Sequence, residues 1–200
     1  MNNKKLTWLT QCALLMAIEL VMKLTGLGSV PVGPLYMSFL TLPIAIGAMI
    51  TGPAAGAFLG LVFGAVSFKD ALTGGSIMTS TLRAVDPVHT FILCVVTRVL
   101  MGWLTALVFK AAKSVDKNRR FCYFAGALAA PLLNTLLFMG YLCLAFYNSD
   151  YVQGLVSGLG ATNPVTFVVL LVGIQGLLEA LVCGIAGGFI AKAVAKYLKQ

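Results

Sequence analysis

The sequence predicts an all-α integral membrane protein, a single bundle of six transmembrane helices. Three observations carry this reading. Of the 200 residues 60% are hydrophobic and 10% charged, and the mean hydropathy is +0.96. A soluble domain carries about 25% charged residues because its whole surface must be wetted, and a lipid-facing surface removes that demand. The apolar residues also fall in long runs without period-two alternation, so helices rather than a β-barrel satisfy the backbone within lipid. Finally, the segments between runs alternate in character, long and rich in small polar residues on one side, short and basic on the other.

The elements follow in order as helices over 6–26, 37–51, 52–68, 88–113, 119–147 and 165–198. The first begins after a basic Met1–Lys5 stretch and resembles a signal peptide. Its apolar run to about Gly26 is longer than a signal's apolar region of about 7–15 residues, and no small-x-small cleavage site follows. It is therefore expected to remain as a helix. The second and third are short against the roughly 20 residues needed to cross the hydrocarbon. Between them Thr51-Gly52-Pro53 makes a tight turn, and Pro53 suits the first turn of a helix, where its missing N–H costs nothing. Segments 27–36, 69–87 and 148–164 read as long loops. The segment after the fourth helix is short and basic, with Lys113, Lys117, Arg119 and Arg120 opposed by Asp116 alone.

Orientation follows from Lys and Arg. Lys4, Lys5, Lys110, Lys113, Lys117, Arg119, Arg120, Lys192, Lys196 and Lys199 lie on the side of the termini, whereas Lys23, Lys69 and Arg83 lie on the other. The positive-inside rule then makes both termini cytoplasmic and the three long loops external in a multi-pass protein of the cell membrane. The formal net charge of +8 is thereby assigned to topology, and no nucleic-acid partner is expected. Cys12, Cys94, Cys122, Cys143 and Cys183 are scattered singly through apolar runs, as packing residues are, with no disulfide framework.

Enzymatic readings find little support. One histidine excludes His-x-x-x-His zinc sites, there is no G-x-S-x-G elbow, and no phosphate loop would let the chain hydrolyse ATP by itself. No catalytic residue, metal or cofactor is expected. A membrane enzyme acting on a lipid or prenyl substrate remains the rival from another class, although Glu19, Glu179 and Arg98 have no nucleophile beside them. A self-contained secondary transporter would show internal repeats, and the two halves show none.

Several constellations stand out. Gly52, Gly56, Gly60 and Gly64 form a small-xxx-small ladder, and Ala180, Gly184 and Gly188 a second, suited to close helix approach within the bundle or between proteins. Glu19, Arg98 and Glu179 fall inside helices, where an unpaired charge costs at least about 2.5–3.5 kcal/mol, so a buried ion pair or triad competes with a ligand contact. Asn134 and Gln175 are the neutral polar candidates. Segment 69–87 gathers Lys69, Asp70, Thr73, Ser76, Arg83 and Asp86 around the flexible Gly74-Gly75, and His89 follows. A gated site for a polar solute needs both polarity and a joint. Ala13 and Ala17 lie one turn apart on the first helix, a spacing that alone means little.

In order along the chain, Leu42-Pro43-Ile44-Ala45-Ile46-Gly47-Ala48 running into the Gly52–Gly64 ladder, Asp86-Pro87, Arg98, Pro131-Leu132-Leu133-Asn134-Thr135 and Gly173-Ile174-Gln175-Gly176-Leu177-Leu178-Glu179 form a pattern. It resembles the substrate-binding S components of energy-coupling factor (ECF) vitamin transporters over nearly the whole length. The resemblance implies six helices that bind a vitamin on the outer side beneath loops one, three and five. It implies docking of the first helix, through Ala13 and Ala17, on a membrane coupling (T) subunit driven by two ATPase subunits. Pantothenate is the leading substrate, with folate, riboflavin and cobalamin as alternatives. The two aromatic vitamins among these need stacking surfaces, and the outward loops offer only Tyr36, Phe68 and Tyr151 with Phe39 and Tyr147 nearby. In this reading Arg83 or Lys69 meets an anionic group, Asn134 hydrogen-bonds the ligand, and Asp86, His89, Tyr36 and Gln175 complete the site. Arg98 anchors Glu179 or Glu19, or touches the ligand with Glu179.

Overall fold

A computed structural model describes residues 3–32, 35–116 and 121–198. Among these are eight helices, with Pro87–Val115 taken as one, and a two-stranded hairpin. The chain runs α1 (Asn3–Leu24), β1 (Val30–Val32), β2 (Leu35–Met37), α2 (Thr41–Ile50), α3 (Pro53–Thr73), α4 (Ile77–Val85), α5 (Pro87–Val115), α6 (Cys122–Phe146), α7 (Asp150–Gly158) and α8 (Pro164–Tyr197). The strands pair antiparallel with Val30 opposite Met37. Lys117, Arg119, Arg120 and Lys199, four of the basic residues used to orient the chain, lie outside the described residues.

Five helices, α1, α3, α5, α6 and α8, are long and apolar enough to cross a membrane, so the chain is an all-α, multi-pass membrane protein. With 10 residues, α2 rises only about 15 Å, half of a hydrocarbon core of about 30 Å. It is nevertheless the centre of the molecule. Eight of its residues, from Thr41 to Met49, are buried, and α1, α3, α5, α6 and α8 all pack on it. A helix enclosed by protein has no need to match the bilayer. Helix α1 is peripheral, packing chiefly on α2 and α3.

Several expected boundaries shift. The third helix is not short: it runs to Thr73, 21 residues. Its polar last turns read as loop in the sequence, but Gly74 closes the helix in the left-handed conformation at φ 79°. The three expected loops contain structure: a hairpin in 27–36, α4 in 69–87 and α7 in 148–164. Helix α4 is amphipathic, burying Met78, Thr79 and Leu82, which makes it a cover rather than a span. The second helix starts at Thr41, not residue 37, because Leu35–Met37 is drawn into the hairpin.

The glycine ladder packs inside the protein. A Cβ on Gly56 would meet the carbonyl of Gly102, one on Gly60 the carbonyl of Arg98, and one on Gly64 the backbone of Cys94 and Val95. Helices α3 and α5 therefore touch backbone to backbone, the approach that small residues permit where lipid offers no hydrophobic drive. In the second ladder, on α8, Gly184 and Gly188 instead receive the Leu128 and Phe124 side chains of α6.

Two irregularities lie in the long helices. In α5, Ile92–Val96 forms a π turn, with the Thr97 N–H donating to the Ile92 carbonyl. In α8, Gly173 at φ 25°, ψ −118° breaks the helix.

Candidate functional site

Three helices each turn one polar-bearing stripe toward a common cavity. On α3 the stripe is Phe63, Val66, Ser67 and Asp70. On α6 it is Asn134, Thr135, Phe138 and Met139, and on α8 it is Val172, Gln175, Gly176 and Glu179. Each repeats at three to four residues, the period of one helix face. Arg98 enters from α5, and Lys23, Ser29, Tyr36, Ser38, Leu40, Ser76, Met78 and Thr79 complete the lining from α1, the hairpin region and α4.

Arg98 is held by the π turn beneath it. Its Nη1 donates to the Leu93 carbonyl at 2.9 Å and to Thr97 Oγ1 at 3.1 Å, and π turns are frequent at functional sites. The guanidinium carbon lies 4.1 Å from the Phe138 ring centroid and 5.1 Å from that of Phe63. Desolvated cation–π contacts of this kind contribute about 2 kcal/mol. Its Nε, although buried, has no hydrogen-bond partner.

The expected ion pair between Arg98 and Glu19 or Glu179 is absent. Among the described residues the ion pair within 4 Å is Lys23–Asp70, at 2.5 Å. Glu179 Oε2 instead accepts the Ser38 N–H at 3.1 Å, tying α8 to the start of α2. Arg98 thus remains a buried cation with carbonyl, hydroxyl and ring partners but no carboxylate counter-charge in contact.

Unpartnered buried polar atoms concentrate on this cavity. Among the described residues they are Ser38 Oγ, Arg98 Nε, Asn134 Oδ1 and Glu179 Oε1, all on lining residues, and the two oxygens of Glu19. An unsatisfied buried donor or acceptor costs about 1–3 kcal/mol, so four around one cavity make a site ready for a polar molecule carrying both acceptor and donor groups.

Of the residues singled out from the sequence, Tyr36, Arg98, Asn134, Gln175 and Glu179 come together on this lining. Arg83, Lys69, Asp86 and His89 are not part of it. Lys69 is exposed. Arg83 Nε donates to the Ala71 carbonyl at 3.0 Å. Asp86 caps α5, accepting the N–H groups of Val88 and His89 at 2.9 Å, and the His89 N–H holds its carboxyl below the usual Asp range. His89 sits edge-on to Tyr141 and Phe146. These four belong to the structure that carries α4, whose inward face is Met78 and Thr79. Sequence reasoning missed Lys23, Ser38, Phe63 and Phe138 as lining residues. The helical stripes were the available signal, since Phe138 falls one turn after Asn134.

Tyr36 Oη donates to the Gly75 carbonyl at 3.0 Å, and Lys23 reaches Asp70. The hairpin and the end of α1 are thereby tied to the α3–α4 turn over the cavity.

Fold and cavity together define a polytopic membrane protein with an internal cavity lined by polar and apolar side chains. The sequence matches the family described as "ECF transporter, substrate-specific component" over residues 8–191, and the chain belongs to that family. It is similar to the pantothenic acid transporter PanT of Lactococcus lactis subsp. cremoris (strain MG1363), with 32% identity over 152 residues, 70% of this chain and 74% of the relative. The protein is thus a transport component and not an enzyme.

Proposed function

We propose that this chain captures pantothenate from outside the cell and releases it inward when docked on an ECF module. The observation that carries the reading is the buried Arg98 on the cavity wall, with an unpartnered Nε and no carboxylate paired to it among the described residues. Such a cation suits a carboxylate solute, because charge-assisted hydrogen bonds are about twice as strong as neutral ones. Asn134 Oδ1 and Glu179 Oε1, also unpartnered, suit the donors of amide and hydroxyl groups. The similarity to a pantothenic acid transporter points to the same solute.

The aromatic vitamins fit less well. The lining holds Tyr36, Phe63 and Phe138, and the last two already face the Arg98 guanidinium. Riboflavin or folate would have one free ring to stack on. In this reading Tyr36, Gln175, Asn134, Arg98 and Glu179 contact the solute, while Lys69, Arg83, Asp86 and His89 shape the cover above it.

The bundle functions as six helices, the five long ones around buried α2, with both termini cytoplasmic and the hairpin, α4 and α7 external. Ala13 and Ala17 are exposed on α1, the most lightly packed of the long helices, and form the face that docks on the coupling subunit driven by two ATPase subunits. Isothermal titration of the purified protein with pantothenate, riboflavin and folate tests the assignment. Saturable binding of pantothenate alone is expected; binding of another vitamin with no response to pantothenate would refute it.

A further inference from the structure

Of the buried carboxylates among the described residues, Glu179 lines the cavity and Glu19 does not. Glu19 is 1% exposed, and neither of its oxygens has a hydrogen-bond partner. It lies one helical turn before Lys23, on the same inward face of α1, in the Glu-then-Lys order that favours pairing at this spacing. Lys23 nevertheless reaches away from it, across the cavity mouth, to Asp70 at the end of α3. The lysine thus has two carboxylates available to it, one engaged and one left bare.

We infer that Lys23 is a two-position latch, pairing with Asp70 to pin the end of α1 to α3 over the cavity, or with Glu19 to free α1 from α3. Breaking a partly buried ion pair outright strands a charge and is strongly unfavourable. A second carboxylate within reach removes most of that penalty, leaving two states close enough in energy for a modest outside bias to choose between them. The Lys23 stem is flexible and its ammonium is a point charge with rotatable donors, so exchanging partners needs no fixed geometry. The bare Glu19 is then the vacant position of the latch in the closed state.

The outer face of the same helix carries Ala13 and Ala17. Resting on the proposed docking of that face, the latch would couple the partner's grip on α1 to the opening of the cavity, and reciprocally the closed cavity to the posture of α1.

A double-mutant cycle on the solute-free protein tests the latch without any assumption about solute or partner. Asp70→Asn and Glu19→Gln lie on different helices, with Lys23 as the cation that links them. Each alone is expected to shift the melting temperature by no more than about 3 °C, because the lysine retains a carboxylate. Together they should lower it by at least about 5 °C more than the sum of the singles. Additive effects overturn the latch, and Glu19→Met, of similar length, replaces Glu19→Gln should that variant express poorly. Uptake in cells supplies the second arm. Glu19→Gln should leave pantothenate affinity within about twofold yet cut uptake at least tenfold. Normal uptake overturns the coupling role, as does loss of affinity, which would put Glu19 in the pocket. Were the wild-type protein to bind no pantothenate, the substrate assignment would fail while the melting cycle still decided the latch.

Discussion

Arg98 and Phe138 meet across the cavity wall, the guanidinium carbon 4.1 Å from the ring centroid, and this contact stands where the sequence led us to expect a carboxylate. An arginine held by a ring and a carbonyl keeps its charge available to a solute. Arg98→Ala should therefore weaken pantothenate binding by about 1.5–3 kcal/mol, the range for hydrogen bonds to charged groups, while the melting temperature falls by only a few degrees. Calorimetry and melting curves on one preparation separate the two. A large drop in melting temperature with affinity retained would return Arg98 to a structural role.

Asn134 presents a buried Oδ1 that finds no partner in the protein. Asn134→Ala should weaken binding by about 1–3 kcal/mol with expression unchanged, and Asn134→Asp should weaken it too, because it removes the amide's donor and brings an anion into the cavity. Titration calorimetry reads both, and an unchanged affinity for the alanine variant would remove Asn134 from the site.

Backbone contact between α3 and α5 predicts a stability effect away from any ligand atom. A Cβ on Gly102 would strike the carbonyl of Gly56, and one on Gly56 the carbonyl of Gly102. Gly102→Ala should destabilise by about 1–3 kcal/mol, the usual range for overpacking, visible as a lower melting temperature. It should also loosen the site, because the next contact along the seam is Gly60 against the Arg98 carbonyl. A variant that melts like the wild type would show that the seam yields without strain.

Ala13→Trp and Ala17→Trp should leave pantothenate affinity unchanged and abolish both uptake and co-purification with the coupling subunit, since bulk on a close-packed face removes contact along the whole seam. Equal loss of affinity and uptake would assign the face to the protein's own core instead.

Orientation is read by accessibility. Ser157 on α7 and Ser114 at the end of α5 are both exposed. In a background without the native cysteines, Ser157→Cys should label in intact cells with an impermeant thiol reagent and Ser114→Cys only after permeabilisation. The reverse pattern would turn the protein over and place the cavity on the inner side.

Hydropathy alone fixed that this chain crosses a membrane as helices, because long apolar runs admit no other backbone solution in lipid. The same runs located α1, α5, α6 and α8 to within a few residues, and the ordered motifs pointed to the family. Asn134, Gln175 and Glu179, which line the cavity, could be singled out because a polar group in an apolar helix stands out. What the sequence could not decide was how helices face one another. Lys69 and Arg83 look like the outer cations of a site by charge alone, yet the amphipathic turn of α4 directs Met78 and Thr79 inward instead. Lys23 looked like a marker of topology, and only the approach of α1 to α3 makes it a cavity residue. Arg98 was assigned a carboxylate by the cost of burying charge, and the packed structure meets that cost with two rings, a hydroxyl and a carbonyl within a π turn. Hydropathy and periodicity are local properties that a sequence carries in full. The pairing of groups 47 and 141 residues apart, as in Lys23 with Asp70 or Ser38 with Glu179, depends on which helix faces which, and that is decided by tertiary packing, such as the meeting of the α3 glycines with the backbone of α5, which no single segment reveals.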